Sequence, residues 1–439
     1  MSSSGVKVLI VGAGIAGLTL AIFLERAGIQ YFILERVFEF KPLGSSMVLS
    51  PQVLRVFDQL GILPELEKVS GVCVSGVYMS HKQNVLGRID VSFLEERYGY
   101  PNRVFSRPDI MDVLLRFIPK EKILWGKRVL SLLQNHEGAM VRCADGTTIH
   151  SDIVVGADGA YSAIRQALYD SIKKKNIRLP DSDMSPLRFD QFSILGVTER
   201  VDHLYPFPGE GCKMYNIFPS NPDQVYVHTI PYDDGRIAWR LSGPCLSKYL
   251  NGEASFRCSD WDTESIDDLK KYLNDAPAYI IGTHTKVISR IMVEDKFYET
   301  WYHGRTVLVG DGANQSILDS ICLANLIVEL PTTHPDDIEQ MFSTYYSVRA
   351  PQARKAVAGS KTLGRIISAD TPVGSVMRNM VLKLLSGPLN VKSMDGMYSG
   401  RPLLNYLPPI PLKGSLPNTA KPVTFGIGAE AKRSRATVV

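Results

Sequence analysis

Short apolar runs and a helical pattern follow one another at the start of the chain. Residues 6–11 form a β-branched apolar run, which predicts a buried strand. Residues 16–27 carry apolar side chains at helical spacing and end at Gly28, a residue that favours the end of a helix. Residues 31–34 form a second apolar run, which ends at Glu35. This order predicts a βαβ unit and therefore a parallel sheet.

Further along the chain, alternating polar and apolar residues predict antiparallel strands. Residues 129–150 contain three such runs with a turn at Asp145 and Gly146, which indicates a β-meander, and a buried strand follows at 152–155. Residues 187–250 mix alternating runs with proline-rich turns, and we expect an antiparallel sheet that forms the floor of a separate pocket. The predicted fold class is α/β, in which a Rossmann-like domain with a parallel sheet and a β-meander is interleaved with a mixed antiparallel-sheet domain.

The last third of the chain begins with a buried strand at 306–309 and a helix at 313–330. Residues 376–385 are mildly amphipathic and basic. They predict a solvated helix packed on the core, with a helix at a membrane surface as the alternative. Prolines cluster beyond Pro402, and this predicts a mobile C-terminal tail.

Composition restricts the class of protein. The chain has 439 residues, of which 45% are hydrophobic and 21% charged, which is typical of a soluble globular protein of this size. A net charge of +4 is small for this length and does not indicate nucleic-acid binding. The six cysteines are scattered, so neither a disulfide framework nor a metal site is predicted. Without a signal peptide or a bilayer-spanning apolar run, the expected location is the cytoplasm, with contact at an intracellular membrane as the alternative.

The first motif with chemical meaning is "GAGIAG" at residues 12–17, a G-x-G-x-x-G between the first strand and the first helix. Gly12 makes the tight turn, Gly14 lets the backbone approach a pyrophosphate, and Gly17 lets helix and strand pack closely. Glu35 follows 18 residues after Gly17, where its carboxylate can accept hydrogen bonds from a ribose diol. The pattern predicts a dinucleotide site, with a purely structural turn as the alternative.

Two later motifs narrow the kind of nucleotide. One strand ends in Asp158 and Gly159, and a later strand ends in Gly310 and Asp311. In this order the three motifs resemble those of the flavin-dependent monooxygenases of the para-hydroxybenzoate hydroxylase class. More closely, the chain resembles the fungal FAD-dependent monooxygenases of secondary metabolism. The resemblance runs from about residue 6 to about residue 402 and includes "SRPDIMDVLL", "DIVVGADGAYSAIRQALY", "RTVLVGD", "GANQSILDSICLANLIVEL" and "RPLLNYLPPI".

The resemblance implies that Glu35 holds the adenosine ribose and that Arg107 reaches the cofactor from the start of its helix. It also implies that Asp158, in the D-G motif with Gly159, serves the FAD pyrophosphate and the passing nicotinamide. Two of these residues have a simpler alternative. Arg107 is then an ordinary residue at the start of a helix beside Asp109, and Asp158 caps the helix that follows it.

On the flavin side, the resemblance implies that the backbone around Val48 passes the ring, that Asp311 binds the ribityl hydroxyls and that Ala313 presents a backbone amide near the flavin. Asp311 is alternatively only a helix cap. The family has a loop of roughly ten residues after the G-D motif. Here Asp311 is bonded directly to Gly312, so their Cα atoms are at most about 3.8 Å apart. We expect Asp311 and Ala313 to reach both family positions only if the strand or the helix shifts.

The function implied is that of an FAD-dependent monooxygenase. Such an enzyme binds FAD, uses NADPH or NADH as a transient co-substrate, and hydroxylates or epoxidises a small hydrophobic or phenolic metabolite with O2. Two alternatives stay open. One is a catalytically silent flavoprotein-like paralogue, or a chain truncated at a misplaced splice boundary, that has lost the isoalloxazine loop. The other is a plain NAD-dependent dehydrogenase in which the two later motifs are coincidence.

The substrate pocket is expected on the sheet of residues 187–250. Tyr215 is the first choice for the base or hydrogen-bond donor that ionises a phenol, because similar enzymes place a tyrosine on the corresponding strand. Tyr226 and His228 are further candidates for this role. Arg188 and Arg240 are candidate anchors for an acidic group. Side chains alternate along a strand, so about half of such residues face away from the pocket.

The motifs divide the chain into interleaved parts of two domains. The FAD-binding domain is predicted to comprise residues 1–75, 106–180 and 291–370. The substrate domain is predicted to comprise residues 76–105 and 181–290, and residues 371–439 form a C-terminal helix and the mobile tail.

Overall fold

A βαβ unit at the start of the chain sets the direction of the main sheet. The computed structural model describes all residues except 1–4, 41–45, 186–190, 201–210, 219–224, 233, 245–284, 294–295, 311, 368–371 and 426–439. The described strands are β1 (Lys7–Val11), β2 (Gln30–Leu34), β3 (Ser46–Leu49), β4 (Ser70–Met79), β5 (Val85–Asp90), β6 (Asn102–Ser106), β7 (Ile123–Leu124), β8 (Val129–Gln134), β9 (Ala139–Cys143), β10 (Thr148–Ser151), β11 (Ile153–Gly156), β12 (Gln191–Thr198), β13 (Cys212–Ile217), β14 (Tyr226–Pro231), β15 (Ile237–Pro244), β16 (Thr285–Val293), β17 (Tyr302–His303) and β18 (Thr306–Leu308). The described α-helices are α1 (Ile15–Ala27), α2 (Pro51–Gln59), α3 (Leu63–Glu67), α4 (Leu94–Tyr98), α5 (Arg107–Leu115), α6 (Ala163–Lys174), α7 (Asp181–Met184), α8 (Ala313–Val328), α9 (Pro335–Ile367), α10 (Pro372–Leu385) and α11 (Pro388–Tyr398).

The first sheet carries the nucleotide-type motifs. Its described strands lie in the order β17, β18, β11, β1, β2 and β7, and all of them are parallel except β17. Helix α1 connects β1 to β2 and ends where Gly28 adopts a left-handed conformation, with φ +68°. The predicted βαβ unit and parallel sheet are therefore confirmed. Because the strands are parallel, the segments that follow β1, β2, β11 and β18 meet at one edge, where ligands bind in such sheets.

A second, larger sheet is formed by strands that alternate along the chain with those of the first. Its described strands have the order β16, β12, β15, β14, β13, β4, β6 and β3, with β5 paired to β4. The pairs are antiparallel except for β13 with β4. The antiparallel sheet predicted for residues 187–250 is confirmed, but it also takes in strands from much earlier in the chain. The meander of β8, β9 and β10 forms a separate three-stranded sheet, as predicted.

The chain beyond Pro402 differs from the mobile tail that its prolines predict. Leu404 is 1% exposed, and its N–H donates to the Gln59 side chain (2.9 Å). The Tyr406 hydroxyl donates to the Phe23 carbonyl of α1 (2.8 Å). Apolar side chains between the prolines thus fasten residues 402–425 to the core, and residues 426–439 lie outside the described part.

Helix α10 confirms the helix predicted near residues 376–385, but only one side of it is packed. Leu382 is 2% exposed, and a Cβ atom at Gly87 of β5 would lie 2.8 Å from its Cβ atom. The apolar residues of α10 that are at least half exposed are Val376 (69%), Met377 (56%), Met380 (56%) and Leu384 (50%). Within the described part of the chain, no helix is both long enough and apolar enough to cross a membrane.

Candidate active site

The turn between β1 and α1 has the shape that the glycine motif predicts. Gly12 has φ +107°, and a Cβ atom there would lie 2.5 Å from the Ala157 carbonyl oxygen. A Cβ atom at Gly17 would lie 1.9 Å from the Gly12 carbonyl oxygen, so only glycine lets α1 pack this closely. A Cβ atom at Gly14 would meet no described atom within 4 Å. The space in front of Gly14 and the N-terminus of α1 is therefore open to a pyrophosphate.

Glu35 lies beside this turn, immediately after β2. Its Oε2 accepts a hydrogen bond from the Ala13 N–H (2.8 Å), and its Oε1 accepts one from the Val37 N–H (3.2 Å). Burial lowers the pKa of Arg107, the first residue of α5, and the Glu35 carboxylate acts on this pKa in the opposite direction. The structure thus brings Glu35 and Arg107 near each other at the glycine turn. A carboxylate oxygen accepts more than one hydrogen bond, so Glu35 keeps capacity for a ribose hydroxyl.

The Asp158 side chain faces the N-terminus of the helix that follows it. Its carboxylate accepts hydrogen bonds from the Ser162 hydroxyl (2.5 Å), the Ala163 N–H (2.6 Å) and the Ile164 N–H (3.2 Å). Burial raises the pKa of Asp158, and these hydrogen bonds oppose that shift. Asp158 therefore caps the N-terminus of α6, and Gly159 makes the preceding turn with φ +77°.

The segment around Val48 is held against the start of α8 by a residue that was not predicted. The Asn314 side chain donates through Nδ2 to the Val48 carbonyl (2.7 Å) and accepts through Oδ1 from the Ser50 N–H (3.0 Å). Ala313 is the first residue of α8, and Gly312 before it offers no side chain as a cap. Asn314 follows Ala313 in the chain and hydrogen bonds Val48, so it holds these two predicted flavin contacts close together.

A buried ion pair connects the strand and the helix on either side of the short junction. The Asp319 carboxylate accepts a hydrogen bond from the Gly310 N–H (2.9 Å) and pairs with the Arg349 Nε (2.6 Å). The side chains of Asp319 and Arg349 are only 1% and 4% exposed, so salt screens the pair little. Neither residue was predicted, although a charge inside the apolar run of α8 was a signal. Asp311 lies outside the described residues.

Strand pairing separates the candidate substrate residues into two faces of the larger sheet. Paired residues on neighbouring antiparallel strands point to the same face. His228 pairs with Asn216 on one neighbour and with Arg240 on the other, so these three residues share a face, here called the inner face. Tyr215 pairs with Thr229 and lies on the opposite face. Tyr215, the first choice from the sequence, is therefore not brought together with His228 and Arg240. Side chains alternate along a strand, and Tyr215 is one position away from Asn216, which lies on the inner face.

The inner face adjoins the segment expected to pass the flavin. Ile230 follows His228 in the alternation of β14 and pairs with Ala238 of β15. Ile230 and Ala238 belong to one buried apolar cluster, and Val48 packs against that cluster. Val48 and the inner-face residues Ile230 and Ala238 thus share one apolar cluster.

A polar group lies on this face at the level of His228. The Arg240 Nε donates to the hydroxyls of Ser193 and Ser242, both at 2.9 Å. Burial, together with the positive charge of Arg240, lowers the pKa of His228 to about 4. His228 is therefore a neutral imidazole near neutral pH. Arg188, the other candidate anchor, lies outside the described residues.

The described cysteines and acids do not form a second kind of site. Cys73, Cys143, Cys212 and Cys322 are buried thiols, while Cys245 and Cys258 lie outside the described residues. In the part of the chain that the structure describes, no three His, Cys, Asp or Glu side chains gather as they would around a metal ion.

Comparisons with known proteins cover most of the chain. A family model described as an FAD binding domain matches residues 5–243. The FAD-dependent monooxygenase ptmM of Penicillium ochrochloron is 28% identical over 396 residues, which cover 84% of this chain and 91% of ptmM. The FAD-dependent monooxygenase nvfK of Aspergillus novofumigatus is 27% identical over 456 residues, which cover 96% of this chain and 92% of nvfK.

Solved structures share the architecture at lower sequence identity. Klebsiella pneumoniae HpxO, complexed with FAD and uric acid, has a TM-score of 0.71 and 19% identity, and the match covers 90% of this chain and 96% of HpxO. A salicylate hydroxylase in a substrate complex has a TM-score of 0.64 and 20% identity, and the match covers 91% of this chain and 99% of the hydroxylase. These similarities support the α/β fold with two interleaved sheets.

Proposed function

We propose a function from the premise that the chain belongs to the FAD binding domain family, whose model matches residues 5–243. The chain is an FAD-dependent monooxygenase that uses NADPH or NADH and O2 to hydroxylate or epoxidise a small hydrophobic or phenolic metabolite. The family and the monooxygenase relatives confirm the FAD cofactor and the oxidoreductase class that were expected. They do not favour a silent paralogue or a plain dehydrogenase.

The glycine turn is the observation that carries this proposal. When bound, FAD takes two electrons from NAD(P)H and passes them to O2, so that one oxygen atom enters the substrate and the other leaves as water. The open space before Gly14 fits the pyrophosphate at the N-terminus of α1. We propose that Glu35 holds the adenosine ribose and that Arg107 lies beside it. We also propose that Asp158 and Gly159, in the turn before α6, serve the FAD pyrophosphate and the passing nicotinamide.

On the flavin side, we propose that the Val48 backbone and the Ala313 N–H face the ring and that Asp311 binds the ribityl hydroxyls. The N-terminus of α8 has a partial positive charge, and no side-chain cap occupies its first N–H groups. Such preorganised donors stabilise the negative charge that collects on the pyrimidine side on reduction. Asn314 fixes their position relative to Val48, and the Asp319 carboxylate fixes the end of β18, in place of the missing loop.

We place the substrate on the inner face of the larger sheet. Neutral His228 offers a nitrogen that accepts a hydrogen bond from a phenol or an enol, and Tyr226 offers a hydroxyl on the same face. A catalytic role for Tyr215 stays a prediction, and the variants Tyr215→Phe and His228→Gln distinguish the two faces. If the substrate binds the inner face, kcat should fall strongly in His228→Gln and not in Tyr215→Phe. A loss of kcat in Tyr215→Phe alone would show that the substrate binds the opposite face.

The test of the proposed reaction is incorporation of oxygen from labelled O2. The purified holoenzyme is incubated with 18O2, with NADPH or NADH, and with candidate small hydrophobic or phenolic metabolites. A monooxygenase gives a product that is heavier by one labelled oxygen atom and consumes NADPH faster when substrate is present. Product labelled from water, or no consumption of either NADPH or NADH with any metabolite, contradicts the proposal.

For its location, we propose the cytoplasm, with α10 in contact with an intracellular membrane surface. The exposed apolar residues Met377 and Met380 lie on a stretch, 372–394, that contains lysine and arginine but no acidic residue. Such a face suits an anionic lipid surface. Sedimentation with phosphatidylserine vesicles tests this, because binding should fall in the variant Met377→Ser/Met380→Ser. If the wild type and the variant are recovered equally in the supernatant, α10 does not bind this membrane, and only the cytoplasmic location is kept.

A further inference from the structure

The motif "RPLLNYLPPI", which begins at Arg401, lies outside the site described above. Residues 400–408, here called the strap, form neither a helix nor a strand. Pro402 and Pro408 have no N–H and cannot complete a sheet ladder. Backbone groups of the strap instead form hydrogen bonds with side chains of two helices, α2 and α8. Specific polar contacts, and not only buried apolar side chains, therefore attach this part of the chain.

Helix α2 binds the strap along one face. Gln52 and Gln59 lie two turns apart and therefore on the same side of the helix. The Gln52 Nε2 donates to the Gly400 carbonyl (2.7 Å). The Gln59 side chain donates to the carbonyls of Leu404 (3.0 Å) and Pro408 (3.1 Å) and accepts from the Leu404 N–H (2.9 Å). Both ends of α2 are thus fixed to the strap.

Helix α8 binds the same part of the strap through one buried side chain. Asn325 is 3% exposed. Its Nδ2 donates to the Leu403 carbonyl (3.0 Å), and its Oδ1 accepts from the Asn405 N–H (2.8 Å). Asn325 and Gln59 thus bind neighbouring residues of the strap. The strap therefore sets the distance between the C-terminal halves of α2 and α8.

The opposite ends of these two helices lie at the candidate flavin site. Helix α2 begins after Ser50, α8 begins at Ala313, and Asn314 hydrogen bonds both Val48 and Ser50. The helices are therefore joined at both ends, by Asn314 near the flavin and by the strap at the far end. Asn325 lies about 18 Å along the helix axis from Ala313. Because a packed helix moves as a rigid body, a shift at the strap changes the position of Ala313.

We propose that Gln59 and Asn325 are positioning residues for flavin reduction, because through the strap they hold the Val48 backbone and the Ala313 N–H at the spacing that the flavin ring needs. The inference rests on the proposed function and gives the C-terminal motif a role in it. In this chain the loop after Gly310 is missing, so the alignment of α8 depends more on contacts away from the junction. A misplacement of about 1 Å caused far from the chemistry costs about 10²-fold in rate.

The test is the midpoint potential of bound FAD in the variants Asn325→Leu and Gln59→Met. Both substitutions nearly keep the shape of the side chain and remove its hydrogen bonds to the strap. FAD is titrated with dithionite in the presence of a dye of known potential. If the N–H donors no longer face the ring, reduced FAD should bind about tenfold more weakly relative to oxidised FAD, which lowers the midpoint potential by about 30 mV. A merely structural role would lower stability and leave this potential unchanged.

Asn390→Leu is the matched control. Asn390 of α11 is 4% exposed, and its Nδ2 donates to the Asp90 carbonyl of β5 (2.7 Å). It is therefore also a buried asparagine that holds a C-terminal element to a distant part of the chain, but its partner belongs to the larger sheet. Asn390→Leu should lower the urea midpoint as Asn325→Leu does and keep the wild-type potential.

The outcomes separate this inference from the proposed function. An unchanged potential in Gln59→Met overturns the inference whether or not Asn325→Leu folds, because Gln59 is only partly buried and its substitution is the milder one. A shift of equal size in Asn390→Leu also overturns it. Dithionite reduces FAD without NADPH, so a wild type that NADPH and NADH do not reduce counts against the monooxygenase function alone. A wild type that takes up no FAD overturns both.

Discussion

Removing one partner of the Asp319–Arg349 pair should destabilise the fold strongly. Asp319→Asn keeps the size of the side chain and an acceptor for the Gly310 N–H, but leaves the Arg349 guanidinium without a counter-charge at 4% exposure. Breaking a buried ion pair in this way costs about 3–5 kcal/mol, a large part of the roughly 5–15 kcal/mol that stabilises a typical protein. The loss is expected even though the substituted side chain is nearly isosteric.

The assay is urea unfolding of the FAD-loaded protein, followed by circular dichroism and by flavin release. The midpoint should fall for Asp319→Asn, and the double variant Asp319→Leu/Arg349→Leu should cost less than the sum of its single variants. Glu65→Gln is the control, because it removes an ion pair with Lys68 that faces water and should leave the midpoint unchanged. A wild-type midpoint for Asp319→Asn would refute the idea that this pair holds the short junction together.

Three further predictions follow from single residues. Gly14→Ala should fold normally but lose affinity for FAD, whereas Gly17→Ala should lose stability even without FAD. The reason is that a Cβ atom would collide with the protein at Gly17 but not at Gly14. Thermal unfolding and FAD titration of both variants check this. The pKa of His228 is about 4 in the folded protein and about 6.5 in the unfolded protein, so the unfolded state binds more protons below about pH 6.5. The wild-type fold therefore loses stability as the pH falls from about 6.5 towards 4. Between about pH 7 and pH 5, the urea midpoint of His228→Gln should fall less than that of the wild type. Burial raises the pKa of Cys322 to about 12, so iodoacetamide should label this thiol only in urea, as mass spectrometry of its peptide can show; labelling of the native protein would contradict its burial.

Local patterns predicted the cofactor turn because its requirements are local. The strand, the glycine turn and α1 lie within one stretch of chain, and steric contact at Gly12 and Gly17 leaves little choice of residue. The apolar run of β1 and the end of α1 at Gly28 follow from the same short-range rules. The fold class was predictable for this reason, since parallel strands require connections of the kind that α1 makes.

Contacts between distant parts of the chain were not predictable in the same way. Asn314 reaches Val48 across 266 positions, and the Asp319–Arg349 pair joins two helices. No periodicity in a single segment reports such a contact. A charge in the buried run of α8 indicated only that a partner exists somewhere.

The sequence of β13 does not indicate which of its side chains share a face with His228. Residues 212–217 read "CKMYNI", where polar and apolar residues occur on both faces, so neither phase of the alternation is favoured. Pairing with β14 sets the phase, and it turns Tyr215 away from His228. Similarly, the prolines beyond Pro402 concealed the anchoring role of Leu404 and Tyr406, because composition reports the average of a segment and anchoring depends on single side chains.

The central claim is that the short junction after Gly310 still builds a redox-competent FAD site. The most direct measurement is the visible absorbance spectrum of the purified chain, loaded with FAD and then mixed with NADPH first without oxygen and afterwards in air. A bound flavin band that bleaches with NADPH and returns in air is the predicted result. A protein that takes up no FAD, or that holds FAD without any bleaching by NADPH or NADH, would contradict the account.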